Sequence, residues 1–296
     1  MGHRLDVSFH DEAFPPAIAL ADLEERWRGR ELVWVPASML LSGDPRQRTP
    51  LFCDINPRDV RQGEIGDCWL IAAISCIANF PEEVEALFVH EGGSPSVRAA
   101  SPDGRYTLRL FDHRKDEFIN IVIDERVPAL VPPRGSYYPG WQHLQAGLPI
   151  FAKPSSVEIW PLLVEKAVAK LFGGFAGLAG GHECSAFRAF TGCTRQEHWR
   201  RRGADGSSWE RGLLQDGELG ILINMSRPTM YKLAIRTYKN RFQDTYRILV
   251  NIILTRSFCL PACHAHVFPA NVEPGRGVDV AKLPVGRVDL SRRRRS

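Results

Sequence analysis

The apolar positions of this chain change period several times, and each change marks an element. Directly after the turn-forming Gly63, Gly66 and Asp67 comes Cys68-Trp69-Leu70-Ile71-Ala72-Ala73-Ile74-Ser75-Cys76-Ile77-Ala78. This run is alanine-rich and holds no Gly or Pro until Pro81, so it predicts a buried helix with Cys68 in its first turn. A short helix is predicted over Pro81 to Val89, with Val84, Leu87 and Phe88 apolar. Alternation in Tyr106 to Phe111 and in Phe118 to Asp124, around a charged turn, predicts a hairpin. Leu163, Ala167 and Leu171 recur at i, i+4 and i+8, which predicts a helix over 160 to 172 packed near the Cys68 helix. Upstream, Leu20, Leu23 and Trp27 predict one helical face over Ala17 to Arg30, followed by a short strand at Leu32 to Val35. Ser42 to Pro45 reads as a loop, and so does the long Pro- and Gly-rich stretch Val127 to Pro154 with Tyr137, Tyr138 and Trp141. Leu219 to Ile223 suits a strand, the character of the chain changes after about Met225, and Pro269 to Ser296 reads as a disordered tail.

Composition narrows the class. A hydrophobic fraction of 44% and a charged fraction of 24% over 296 residues are those of a soluble globular protein, with room for one large or two modest domains. The formal charge of +4 is misleading, because Arg292 to Arg295 account for all of it. A neutral body argues against a nucleic-acid-binding surface and leaves the basic tail to touch an acidic partner or to serve as a localisation signal. Seven cysteines form an odd set, and the start of the chain has no apolar signal-peptide core, so a reducing cytoplasmic compartment is expected. Gly2 is followed by Asp6 where a myristoylation signal needs Ser or Thr, and the apolar window Ile248 to Leu254 is too short to span a bilayer.

Chemistry concentrates at the start of the first long helix. Unbonded amides and the positive end of the helix dipole favour a thiolate at Cys68, and the thiolate is the nucleophile. Gln62, a short turn upstream, is placed to offer its side-chain amide to the oxygen of an attacked carbonyl, with the Cys68 N–H as the second donor. A buried inert thiol is the other fate of such a residue, and Cys76 two turns along is that case. Cys259, Cys263, His264 and His266 offer zinc-type ligands, but three of them fall within four residues, too cramped for a two-knuckle site.

Gln62-Gly63-Glu64-Ile65-Gly66-Asp67-Cys68-Trp69 resembles the nucleophile segment of the calpain family of papain-like cysteine proteases, Gln-Gly-x-x-Gly-Asp-Cys-Trp, at every fixed position. A second block agrees: Trp160 to Lys170, with Glu165-Lys166-Ala167, then Gly180-Gly181 and Phe190-Thr191-Gly192, is similar to a calpain helix and the loop after it. The likeness begins at Leu51 and covers about half the chain. It implies an α+β papain-like fold. The expected parts are an N-terminal extension (1–50), a complete helical nucleophile subdomain (51–195), a divergent or partial β-rich second subdomain (196–268) and a basic tail (269–296).

The same resemblance implies a calcium-dependent cysteine endopeptidase acting on intracellular proteins or peptides, with Cys68 as nucleophile and Gln62 at the oxyanion. Calcium would be held by Asp59 and Glu165 with backbone carbonyls, as suits a hard cation. By their own sequence context these acids read as a surface turn and as half of a helical acid–lysine pair. The family's base is a histidine in Gly-His-Ala-aromatic; here His264-Ala265 matches the central pair, with Cys263 and His266 in the flanking places. The family's Asn-Pro-Trp-Gly is missing, and Asn271 follows His264 too soon to replace it. The alternative expectation is therefore a catalytically inactive calpain-like interaction module.

Overall fold

The computed structural model describes residues 7–40, 47–89, 98–131, 148–154, 158–193 and the strands between 196 and 268. The chain divides into two compact units, essentially Met1–Thr194 and Arg195–Lys239 with Ile248–Ser296. No helix of the described residues is long and apolar enough to cross a membrane.

The first unit begins with helix α1 (Pro16–Ala19), which starts on prolines, where a missing N–H costs nothing. The single helix expected over Ala17 to Arg30 is in fact broken. Asp22 takes a left-handed φ of 66° that stops α1, and the chain resumes as a 3₁₀ turn at Glu24–Trp27. Leu20, Leu23 and Trp27 are nevertheless all buried, so the apolar spacing found the right face with the wrong element. Strand β1 (Leu32–Pro36) and helix α2 (Ala37–Leu40) follow, then the two-residue strand β2 (Val60–Arg61). Helix α3 spans Cys68–Ile77 and is buried on nearly all sides, as its unbroken apolar run requires, and α4 spans Pro81–Glu85.

The hairpin is present as β3 (Arg105–Asp112) and β4 (Glu117–Asp124), antiparallel with Leu108 opposite Ile121. The stretch from Val127 differs from the loop expected there. Strand β5 (Arg126–Leu130) pairs antiparallel with β1, and β6 (Leu148–Pro149) and β7 (Lys153–Pro154) pair with β5 and β2. Pro128 masks the strand in the sequence, yet its carbonyl still accepts the Ile150 N–H at 3.2 Å. Tyr137, Tyr138, Trp141 and the Ser42–Pro45 loop lie outside the described residues. Helix α5 (Trp160–Leu171) packs on α3, and α6 (Glu183–Thr191) packs on α3 and β3.

Residues 7–40 are wired into this unit by buried ion pairs as well as by the β1–β5 ladder. Lys166, 1% exposed, donates to the Asp124 carboxylate at 2.7 Å and to the Asp124 and Arg126 carbonyls at 2.9 and 2.6 Å. The Asp124 carboxylate also accepts the Asp11 N–H at 2.9 Å, and Lys170 reaches the Asp11 carboxylate at 2.7 Å. Burial pushes Asp124 up, but Arg126 and Lys166 beside it hold its carboxyl well below the usual range. Glu125, equally buried, is met by Ser38 at 2.6 Å and Arg48 at 2.7 Å.

The second unit is, among the described residues, a six-stranded sheet in the order β13-β12-β11-β10-β8-β9. Its strands are β8 (Gln196–Arg202), β9 (Ser208–Arg211), β10 (Leu219–Asn224), β11 (Met230–Lys239), β12 (Tyr246–Thr255) and β13 (His266–Phe268). The strand expected at Leu219 to Ile223 is therefore β10, and two strands precede it.

Candidate active site

Cys68 is the first residue of α3 and is half-buried, so its side chain springs from the helix N-terminus. The helical hydrogen bonds start with the Leu70 and Ile71 N–H groups on the Asp67 carbonyl, at 2.9 and 3.1 Å. The Cys68 amide precedes that ladder, as the first amides of any α-helix do. Cys76, by contrast, is fully enclosed, and burial pushes its thiol far above the usual range.

The turn carrying Gln62 is fixed by its backbone. Gly63 lies so close to the strand segment behind it that a Cβ would fall 1.8 Å from the Phe151 carbonyl oxygen, which is why only glycine serves there. Glu64 N–H donates to the Ile150 carbonyl at 2.8 Å, and Gly180 N–H donates to the Gly66 carbonyl at 2.9 Å. Gln62 itself is exposed, and its amide Nε2 donates to the Ile65 carbonyl at 2.7 Å. The following Trp69 is buried; its indole N–H donates to the Leu178 carbonyl at 2.9 Å. Gly181 sits against that indole, with room for no side chain. The Gly180-Gly181 pair thus frames the nucleophile turn.

Sequence reasoning missed Asp67, which it took for a turn residue. Asp67 occupies the N-cap of α3 but makes no capping bond with its side chain, which is fully buried with both oxygens unpartnered. It faces Glu165 of α5. Burial raises Asp67 to about 6, while the Glu165 carboxyl, and to a smaller extent the Gln62 amide, favour its ionised form without closing a hydrogen bond of good geometry. Glu165, 1% exposed, is raised well above the usual range by burial and then by the Asp67 charge, and both its oxygens face the Ala152 N–H at 3.0 and 2.9 Å. Glu165 is thus the member that keeps its proton. The lysine beside it in sequence, Lys166, is turned to Asp124 instead, so the helical acid–lysine pair is not formed.

This pair makes stability fall with rising pH. Asp67 binds its proton more tightly when folded, so the stabilisation is complete below its unfolded value near 4 and is lost from about pH 4 to 6, where the unfolded chain has released the proton that the folded state still holds. The loss is on the order of 3 kcal/mol. Urea midpoints measured from pH 4.5 to 6.5 should drop for the parent chain and drop less for Asp67→Asn; identical slopes would remove Asp67 as the source.

Asp59 is buried in a 3₁₀ turn (Pro57–Asp59), not on the surface, and its carboxylate caps the turn by accepting the Asn56 N–H at 2.6 Å. Among the described residues no three His, Cys, Asp or Glu side chains gather to hold a metal. His264, Cys259, Cys263 and Asn271 lie outside the described residues, and His266 opens β13. His182 is exposed at the N-cap of α6.

The family model for calpain family cysteine proteases matches residues 9–235. The chain belongs to the calpain family. The match takes in the N-terminal segment and extends through β10, so the likeness is longer at both ends than the motifs alone indicated. Among individual calpains, the calpain-type cysteine protease DEK1 of Arabidopsis thaliana is 29% identical over 239 residues, covering 76% of this chain and 10% of that protein. Calpain-A of Drosophila melanogaster is 34% identical over 134 residues, covering 45% of this chain and 14% of the relative. The calpain-2 catalytic subunit of Gallus gallus is 29% identical over 191 residues, covering 62% of this chain and 23% of the subunit. The chain thus spans a quarter or less of the length of these calpains.

Proposed function

We propose that this chain is the protease core of a calpain-type cysteine endopeptidase with a papain-like arrangement of two subdomains, cleaving intracellular proteins or peptides in a calcium-dependent way. The observation that carries the reading is the half-buried Cys68 at the first position of α3, beside the backbone-locked Gln62 turn. In this mechanism the Cys68 thiolate adds to the peptide carbonyl carbon. The negative charge moves to the carbonyl oxygen, where the Cys68 N–H and the Gln62 amide receive it. The Gln62 amide donates to the Ile65 carbonyl, which fixes the plane of the group beside Cys68. A histidine, for which His264 is the candidate, gives its proton to the leaving amine as the C–N bond breaks, and water then hydrolyses the thioester.

Calcium fits the hard-oxygen chemistry of the buried Asp59 and Glu165 carboxyl groups, and Glu165, protonated without the ion, would give up its proton on binding it. Two acids are too few alone, so backbone carbonyls would complete the set. When bound, the ion would supply positive charge against the nucleophile segment.

The test is to incubate the purified chain with calcium and an unstructured protein, with and without an irreversible thiol-directed inhibitor. Calcium-dependent cleavage that the inhibitor stops supports the proposal. Labelling of Cys68 without any cleavage overturns it in favour of an inert calpain-like module. Within an active enzyme, Gln62→Ala should lower kcat by about 10²–10³-fold with little change in KM, since its amide acts on charge that exists only in the transition state. An equal rise in KM would instead make Gln62 a ground-state contact.

A further inference from the structure

Of the two positions that the Gln-Gly-x-x-Gly-Asp-Cys-Trp pattern leaves open, one holds a charged residue here, Glu64. Its carboxylate Oε2 accepts the Trp27 indole N–H at 2.9 Å and the Arg30 guanidinium at 3.3 Å. Both donors come from the segment before β1, far away in sequence. Trp27 is 4% exposed and sets its ring edge-on to Phe151 at 5.7 Å, and Phe151 stacks on Phe175 at 4.0 Å. Phe151 also supplies the carbonyl against which Gly63 leans. Trp27 therefore grips the Gln62 turn twice, through the Glu64 carboxylate in front and through Phe151 behind.

We propose that Trp27 and Glu64 are positioning residues for the oxyanion-binding amide of Gln62, clamping residues 62–66 so that the Gln62–Ile65 hydrogen bond holds one geometry. The inference rests on the protease reading and adds to it a role for the N-terminal segment, where the sequence shows no chemistry. Trp27→Phe keeps the ring and removes the donor. Glu64→Ala removes the acceptor, and Glu64→Gln restores an acceptor oxygen.

Each variant is assayed for kcat and KM on a peptide substrate per titratable Cys68 thiol. Inhibition by a peptide aldehyde, which forms a tetrahedral adduct in the oxyanion site, is compared with alkylation by iodoacetamide, which needs no such site. Trp27→Phe and Glu64→Ala should lower kcat and aldehyde affinity by about tenfold, with KM and the alkylation rate within about twofold of the parent and Glu64→Gln close to the parent. Unchanged kcat per thiol, a parallel fall in alkylation, or a Glu64→Gln as impaired as Glu64→Ala would each overturn the proposal. If the parent chain cleaves nothing, the protease reading fails separately, and amide hydrogen exchange over residues 62–66 decides the clamp. Faster exchange in Trp27→Phe and Glu64→Ala supports it, and unchanged exchange overturns it.

Discussion

Cys68→Ala is expected to abolish peptide-bond cleavage, with a loss of about 10⁶-fold in kcat, the scale seen when the nucleophile of a cooperating catalytic set is removed. The stability of the fold should barely respond. Cys68 is only half-buried at the helix start, and alanine is at least as good a helix former. The decisive measurement is therefore a pair: cleavage of an unstructured protein in calcium, and a thermal midpoint. Activity that survives the substitution would assign catalysis to another group. A large fall in the midpoint together with activity would show that Cys68 matters for packing instead.

Lys166→Met is expected to have the largest effect on stability. The substitution keeps most of the side-chain volume but leaves the Asp124 carboxylate and two carbonyls without the ammonium that meets all three. Removing one partner of a buried ion pair costs about 3–5 kcal/mol, and the Arg126 guanidinium that stays on Asp124 at 2.7 Å places this case toward the lower end. In a domain of this size the midpoint should fall by roughly 10 °C. A fall of less than about 1 kcal/mol in urea unfolding would mean that Arg126 carries the Asp124 charge alone.

What could be read in advance depended on whether the information was local. The α3 helix and the β3–β4 hairpin were legible because their periodicity is unbroken over the whole element. Strand β5 was not, since Pro128 reads as a breaker and only the distant β1 reveals it as a ladder member. The helix expected over Ala17 to Arg30 failed at one residue, Asp22, whose left-handed backbone no apolar count registers. At the site, Cys68 and Gln62 were singled out through their shared motif, and they lie at the start of α3 and in the turn before it. The Asp67–Glu165 pair was not, because it joins residues 98 positions apart whose meaning comes only from shared burial. Trp27 was legible as a core residue, but its indole N–H has a second task that hydrophobic spacing cannot encode.

The β1–β5 pairing bears on how this protein can be processed. Cutting the chain near residue 50 would strip one edge from the sheet and uncover Leu130 and Ala129. Asp124 would lose the Asp11 amide, and Glu125 would lose both Ser38 and Arg48. Release of that segment is therefore expected to expose an apolar sheet edge and strand two buried carboxylates, destabilising the unit it leaves.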